Sequence, residues 1–183
     1  MNSCMIDLET LDTQPGAVIL SIGAVMFDPT KPPSEGLGDE FYYVVGIPTC
    51  EALGMTISAD TLAWWEKQSP EARKVLTQAR DPSESVSITK ALDRLTLFLP
   101  PNTKVWSNGA NFDQPLLDVA YHKIGKQVPW KYYNSRCHRT VVALHPNEKA
   151  LRPAPVLAHN ALEDAKWQAK HLVNVVQALG LKL

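Results

Sequence analysis

Ten consecutive uncharged residues, Val18-Ile-Leu-Ser-Ile-Gly-Ala-Val-Met-Phe27, follow a short apolar run that ends in two carboxylates, Met5-Ile-Asp7-Leu-Glu9-Thr10. The longer run reads as a strand buried on both faces, which demands cover on each side of its sheet. The shorter run reads as the strand beside it. Residues i and i+2 of a strand share a face, so Asp7 and Glu9 project side by side. Two like charges held that close are costly unless a cation sits between them. At a strand end that merely reaches water, an Asp-x-Glu pair carries no such meaning, and the rest of the chain has to decide.

With 183 residues, 45% of them hydrophobic and 20% charged, the chain is expected to form a single domain over residues 1–183 with a substantial core. It shows neither a secretory signal nor an apolar run of membrane-spanning length, so no membrane partner is expected. Three cysteines, Cys4, Cys50 and Cys137, with no C-x-x-C spacing, argue against a disulfide framework and a structural zinc site and imply a reducing, cytoplasmic setting. The net charge of −1 excludes polyanion binding by bulk charge alone. The distribution is less even. Between Asp118 and Glu148 there is no acidic residue, while Lys123, Lys126, Lys131, Arg136 and Arg139 are interleaved with Tyr121, Trp130, Tyr132 and Tyr133. Cations that track phosphates beside aromatic faces that stack on bases suit single-stranded nucleic acid. A solvated basic face around a loop explains the same composition equally well.

In order, Asp28 to Gly38 reads as a turn-rich loop, and Glu40–Val45 as the third strand of an antiparallel unit. Ser58 opens a helix through Trp64 and Trp65. Ser69-Pro70-Glu71 opens another, with Ser69 as cap and Pro70 in the first turn. Ser83 or Ser85 opens a third, whose apolar face is Ile88, Ala91, Leu92, Leu95, Phe98 and Leu99. Thr103–Ser107 reads as a strand, Phe112–Ile124 as a helix, Ser135–Leu144 as a short helix and Arg152–Pro155 as an extended linker. The last helix runs from about Ala161 to Leu179, and Gly180 ends it. The expected class is α/β, a mixed sheet with helices packed on its faces.

Three more positions join the first two carboxylates. Asp113 sits where a strand hands over to a helix, the place where α/β sheets hold ligands; a helix cap is the structural alternative. His159 precedes the last helix, and Asp164 lies near its first turn, so the two can converge. Carboxylate oxygens select hard cations such as Mg²⁺ or Mn²⁺. Two such ions clamp the attacking and leaving oxygens of a phosphoryl group, and a histidine is suited to take the proton of the attacking water.

Asp7-Leu-Glu9, Asn108…Asn111-Phe112-Asp113 and His159-x4-Asp164 resemble, in order and spacing, the three motifs of the DEDDh 3′→5′ exonucleases, in the DnaQ-like branch of the RNase H-like fold. With Ile19–Ala24, Thr61–Gln68, Pro129–Asn134 and the flanks of the motifs, the chain is most similar to the exodeoxyribonuclease VIII-like and phage exonuclease A enzymes of phages and prophages, and to the exoribonuclease RNase AS. One departure is Cys137-His138-Arg139-Thr140, where an acidic residue near Cys137 is expected.

The resemblance implies an RNase H-like sheet and two divalent ions, Mg²⁺ or Mn²⁺. Asp7 would bridge both ions, Glu9 and Asp164 would hold the ion that binds the attacking water, and Asp113 the one at the leaving group. His159 would be the general base. Thr10 would help seat the 3′ end, and Trp64 or Trp65, the latter taken as the substrate-binding residue, would stack on the terminal base. Asn108 and Asn111 would contact sugar or phosphate, or only hold their turn. The implied reaction releases nucleoside 5′-monophosphates from the 3′ end of single-stranded nucleic acid. The phage likeness favours DNA and the RNase AS likeness RNA; the reading leans to DNA. A homodimer follows from the resemblance alone. Residues 119–147 are then either substrate track or dimer interface. The reading from another class is a binding module that grips nucleic acid or a protein without turnover.

Overall fold

A computed structural model describes residues 1–109, 111–154 and 157–182. Five strands form one sheet: β1 (Ser3–Thr10), β2 (Ile19–Phe27), β3 (Leu37–Val44), β4 (Lys104–Ser107) and β5 (Ser135–Cys137). Their order is β3-β2-β1-β4-β5, with antiparallel pairing across β3-β2-β1 and parallel pairing across β1-β4-β5. The helices are α1 (Ile47–Glu51), α2 (Ala59–Trp65), α3 (Pro70–Gln78), α4 (Ile88–Phe98), α5 (Asp113–Lys123), α6 (His138–Val142) and α7 (Ala161–Leu179).

β1 is the central strand, and its alternation sorts the molecule into two layers. Cys4, Ile6 and Leu8 join a large core with β2, α4 and α5, including Leu92, Leu95, Leu117 and Tyr121. Met5 packs on the opposite layer against Ala165, Ala169, Leu172 and Val176 of α7. Asp7 and Glu9 continue the Met5 face, so the carboxylates point to the side that α7 covers. Every residue of β2 is buried, as expected for a strand without a charged residue. α7 is stopped by Gly180 in the left-handed conformation, φ 63°, where a side chain would be strained.

The local signals act as their chemistry demands in α2 and α3, where Ser58 and Ser69 accept the Thr61 and Ala72 amides and Pro70 occupies the first turn. Elsewhere the structure corrects the expectations. Ser87, not Ser83 or Ser85, caps α4 by accepting from the Lys90 amide. Ser83 is already engaged, its amide and hydroxyl both donating to Asp81 Oδ1, and the Ser85 hydroxyl donates to the Asp81 carbonyl at 2.8 Å. The segment expected as one helix over Ser135–Leu144 starts as β5, which continues the parallel sheet through Val105↔Ser135 and Ser107↔Cys137, and becomes helical only at His138. β3 begins at Leu37, three residues before the expected start at Glu40. The short α1 was not expected. Of the expected Arg152–Pro155 linker, Pro155 lies outside the described residues, and a short 3₁₀ turn, Glu148–Leu151, precedes it.

Candidate active site

The C-terminal ends of the parallel strands and the N-terminus of α7 bring the sequence-derived residues to one place. A cavity of about 360 Å³ is lined by Asp7, Glu9, Asp113, His159 and Asp164, together with Asn108, Arg139 and Gln168. Glu9, His159 and Asp164 each offer a ligand atom within 4.8 Å of the other two. Three backbone devices hold them. Asp113 is the first residue of α5, and its Oδ1 accepts the Leu8 amide of β1 at 3.1 Å. Asn160 caps α7 by accepting the Leu162 and Glu163 amides, which aims Asp164 at the cavity. His159 turns into that cap with φ 61°, and its amide donates to Asp164 Oδ2 at 2.9 Å. A left-handed histidine costs on the order of 1 kcal/mol, so the capping bonds have to hold it.

Gln168, one turn beyond Asp164, was missed from the sequence. Its Nε2 donates to Asp7 Oδ1 at 2.7 Å. The i, i+4 spacing from Asp164 on one helix face was the available signal. Thr10 is buried at the end of β1; its hydroxyl donates to the Asp12 carbonyl, and its own carbonyl accepts the Trp65 indole N–H at 2.9 Å. Trp65 is thereby a core residue, 1% exposed, whereas Trp64 is 42% exposed and packs edge-on to the His159 ring. Both tryptophans, with Thr10 and Phe112, line a second cavity of about 480 Å³ that shares Leu8, Glu9 and Phe112 with the acidic one. Asn108 is held at its turn: its side-chain oxygen lies 3.1 Å from His138 Nδ1, and its carbonyl accepts Arg139 Nη2 at 2.8 Å. Asn111 is exposed in the same turn.

The electrostatics test the fit to a cation. Burial and then the like charges of Asp113, Glu9 and Asp164 push the Asp7 carboxyl well above the usual range. Burial, then Asp164 and Asp113, raise Glu9 to about 8. Burial raises Asp113 to about 7, against the pull of backbone N–H groups and Arg139. Burial also raises Asp164. The neutral donors present do not offset four crowded carboxylates. A divalent cation does, and the carboxylate-rich donor set fits Mg²⁺ or Mn²⁺.

This crowding has a measurable consequence. Unfolded carboxyls lose their protons near pH 4, whereas folded Glu9 and Asp113 keep theirs until about 8 and 7. Across that window the folded state binds more protons, so stability falls as pH rises. In EDTA the melting temperature is expected to drop between pH 5 and pH 8, and Mg²⁺ at pH 8 should recover most of the loss. A metal-free melting temperature that climbs over the same interval would contradict the arrangement.

No described helix is long and apolar enough to cross a membrane. Comparison with known proteins agrees with the geometry. The exodeoxyribonuclease of Enterobacteria phage T4 is 25% identical over an alignment spanning 202 positions, covering 96% of this chain and 88% of the phage protein. Exonuclease X in complex with 5′ overhanging duplex DNA matches 98% of this chain and 93% of its own, with a TM-score of 0.60 at 17% identity. Cell-death related nuclease 4 (CRN-4) matches 96% of this chain and 64% of its own, with a TM-score of 0.50 at 12% identity. These structural likenesses establish the fold as RNase H-like, the expected mixed sheet flanked by helices. The Rv2179c-like 3′-5′ exoribonuclease domain matches residues 2–176, nearly the whole length, and the chain therefore belongs to that family of 3′-5′ exonucleases.

Proposed function

We propose that the chain is a metal-dependent 3′→5′ exonuclease of the DEDDh class that releases nucleoside 5′-monophosphates from single-stranded DNA. The observation that carries this reading is the convergence of Asp7, Glu9, Asp113, Asp164 and His159 on one cavity. Two Mg²⁺ or Mn²⁺ ions held by the four carboxylates would supply a nucleophilic hydroxide at neutral pH and charge for the pentacoordinate phosphate. Asp7, on the central strand, would be a ligand common to both ions; Glu9 and Asp164, beside His159, would hold the ion on the side of the attacking water, and Asp113 the one on the leaving side. His159 accepts the proton of the attacking water. The water oxygen bonds to phosphorus as the bond between phosphorus and the 3′-oxygen of the shortened strand breaks, and that oxygen takes its proton from solvent. Trp64, rather than the buried Trp65, offers the face on which the terminal base stacks, above the cavity that Thr10 closes.

The family's description as exoribonuclease favours a second reading, RNA as substrate, while the phage relative is an exodeoxyribonuclease. The experiment is digestion of matched 5′- and 3′-labelled DNA and RNA oligonucleotides with Mg²⁺, Mn²⁺ or EDTA. Stepwise shortening of the 5′-labelled strand only with metal supports the reading, and the faster sugar names the substrate. Absence of product on both would leave a binding module. His159→Ala is expected to lower kcat by roughly 10²–10⁴-fold, the range for a lost general base. A variant within threefold of wild type would remove His159 from that role.

A further inference from the structure

We propose that Arg139 is a phosphate-binding residue whose guanidinium holds the phosphodiester one linkage upstream of the scissile bond, on the strand that leaves. The inference rests on the exonuclease reading above.

Among the described residues that line the acidic cavity, Arg139 is the one Lys or Arg. It is exposed, and its Nη2 donates to the Asn108 carbonyl at 2.8 Å. A guanidinium has five N–H donors. Among the described residues this is the single hydrogen bond the Arg139 guanidinium makes, and no carboxylate stands within ion-pair distance of it. A charged fork anchored at one corner, with its other donors unspent beside a site for a phosphodiester, matches the planar, bidentate demand of a phosphate oxygen pair.

The anchor is rigid for a reason in the sheet. β4 and β5 run parallel with Ser107 opposite Cys137, so Asn108 and His138 leave adjacent strand ends together. His138 is 2% exposed, and its Nδ1 lies 3.1 Å from Asn108 Oδ1. The first turn of α6 is therefore fixed, and Arg139 with it.

Strand order sets the direction. The Trp64 cavity adjoins the end of β1 through Leu8, Glu9 and Thr10. Asn108 follows at the end of β4, and Arg139 comes just past β5, the outer strand. A 3′-terminal nucleoside in the Trp64 cavity places its 5′-phosphate at the acidic group, which is shared through Glu9 and Phe112. The chain then continues along the sheet edge, and the next phosphate it presents is the one Arg139 faces. Asp113, assigned to the leaving side, is the carboxylate whose ionisation Arg139 favours.

The test uses an oligonucleotide of the sugar the protein cleaves faster, with one uncharged methylphosphonate at the second linkage from the 3′ end, as separated diastereomers, beside its all-phosphate parent. Charged hydrogen bonds of this kind set the expected loss: wild type should cleave the methylphosphonate substrate with roughly 10- to 100-fold lower kcat/KM. Arg139→Ala should lose a similar factor on the parent and nothing more on the methylphosphonate. Arg139→Lys, which keeps charge without the fork, should retain part of the discrimination. Indifference of wild type to the neutral linkage overturns the assignment. So does an Arg139→Ala protein that still pays the full penalty, because a purely structural role through Asn108 slows both substrates alike. If wild type degrades no substrate with either metal, the exonuclease reading fails as well; cleavage without discrimination removes only Arg139.

Discussion

Asp7→Asn is expected to lower exonuclease activity by at least about 10³-fold while making the metal-free protein more stable at pH 8. The two effects share one cause. Asp7 lies at the end of the central strand, held by Gln168 and repelled by Asp113, Glu9 and Asp164. In the absence of a cation its protonated form is favoured, and asparagine reproduces that form in shape while keeping an oxygen for the Gln168 amide. The folded state is then spared the cost of protonating a carboxyl that is ionised in the unfolded chain at pH 8, and the gain is of order 1–2 kcal/mol, or roughly 2–8 °C in melting temperature for a chain of this size. The charge is what a bridging ligand needs. Loss of several kcal/mol of metal-dependent stabilisation converts to a factor of ten for each ~1.4 kcal/mol. Thermal melts in EDTA and single-turnover rates in Mg²⁺ check both halves. A variant as stable as expected but within tenfold of wild-type rate would take Asp7 out of the metal site.

The acidic tetrad was legible because each member carries a local mark: Asp7 and Glu9 by strand spacing, Asp113 by a strand–helix handover, Asp164 by its place in the first turn of a long amphipathic helix. The α7 stripe and its Gly180 stop were equally plain. What failed to show depends on partners far along the chain. β5 has three residues and no periodicity of its own; only pairing with β4 makes it a strand. Arg139 could not be placed at the cavity until β5 was a strand rather than the first turn of a helix. Trp64 and Trp65 look alike in sequence, and the Thr10 carbonyl that claims the Trp65 indole is 55 positions away. The cap expected at Ser83 or Ser85 falls to Ser87, because Asp81 captures the other two, which local sequence does not reveal. Gly23 passed as one more small residue in an apolar strand, although glycine there can mark a close backbone approach.

Gly23→Ala is expected to lower activity by at least about 10²-fold and stability together. The reason is space rather than backbone conformation. Gly23 pairs with Asp7 across β1 and β2. A methyl group on it would lie 2.1 Å from the Ala161 carbonyl carbon, 2.2 Å from the Leu162 nitrogen and 2.3 Å from the Ala161 oxygen. All three are backbone atoms in the first turn of α7, so no side-chain rotation relieves the contact. The helix must lift off the sheet by about 1 Å or more to reach ordinary van der Waals separation. It carries Asp164, the His159 anchor and Gln168 with it, and misplacement of that size costs on the order of 10² in rate. Overpacking against a fixed backbone should also cost about 1–3 kcal/mol, or roughly 2–12 °C in melting temperature. The contrast with Asp7→Asn separates the two kinds of damage: there rate falls as stability rises, whereas here both fall. Melting curves and single-turnover rates measured side by side decide it. If Gly23→Ala keeps wild-type values of both, α7 does not rest on β2 beside Asp7, and the site cannot be assembled in the way described.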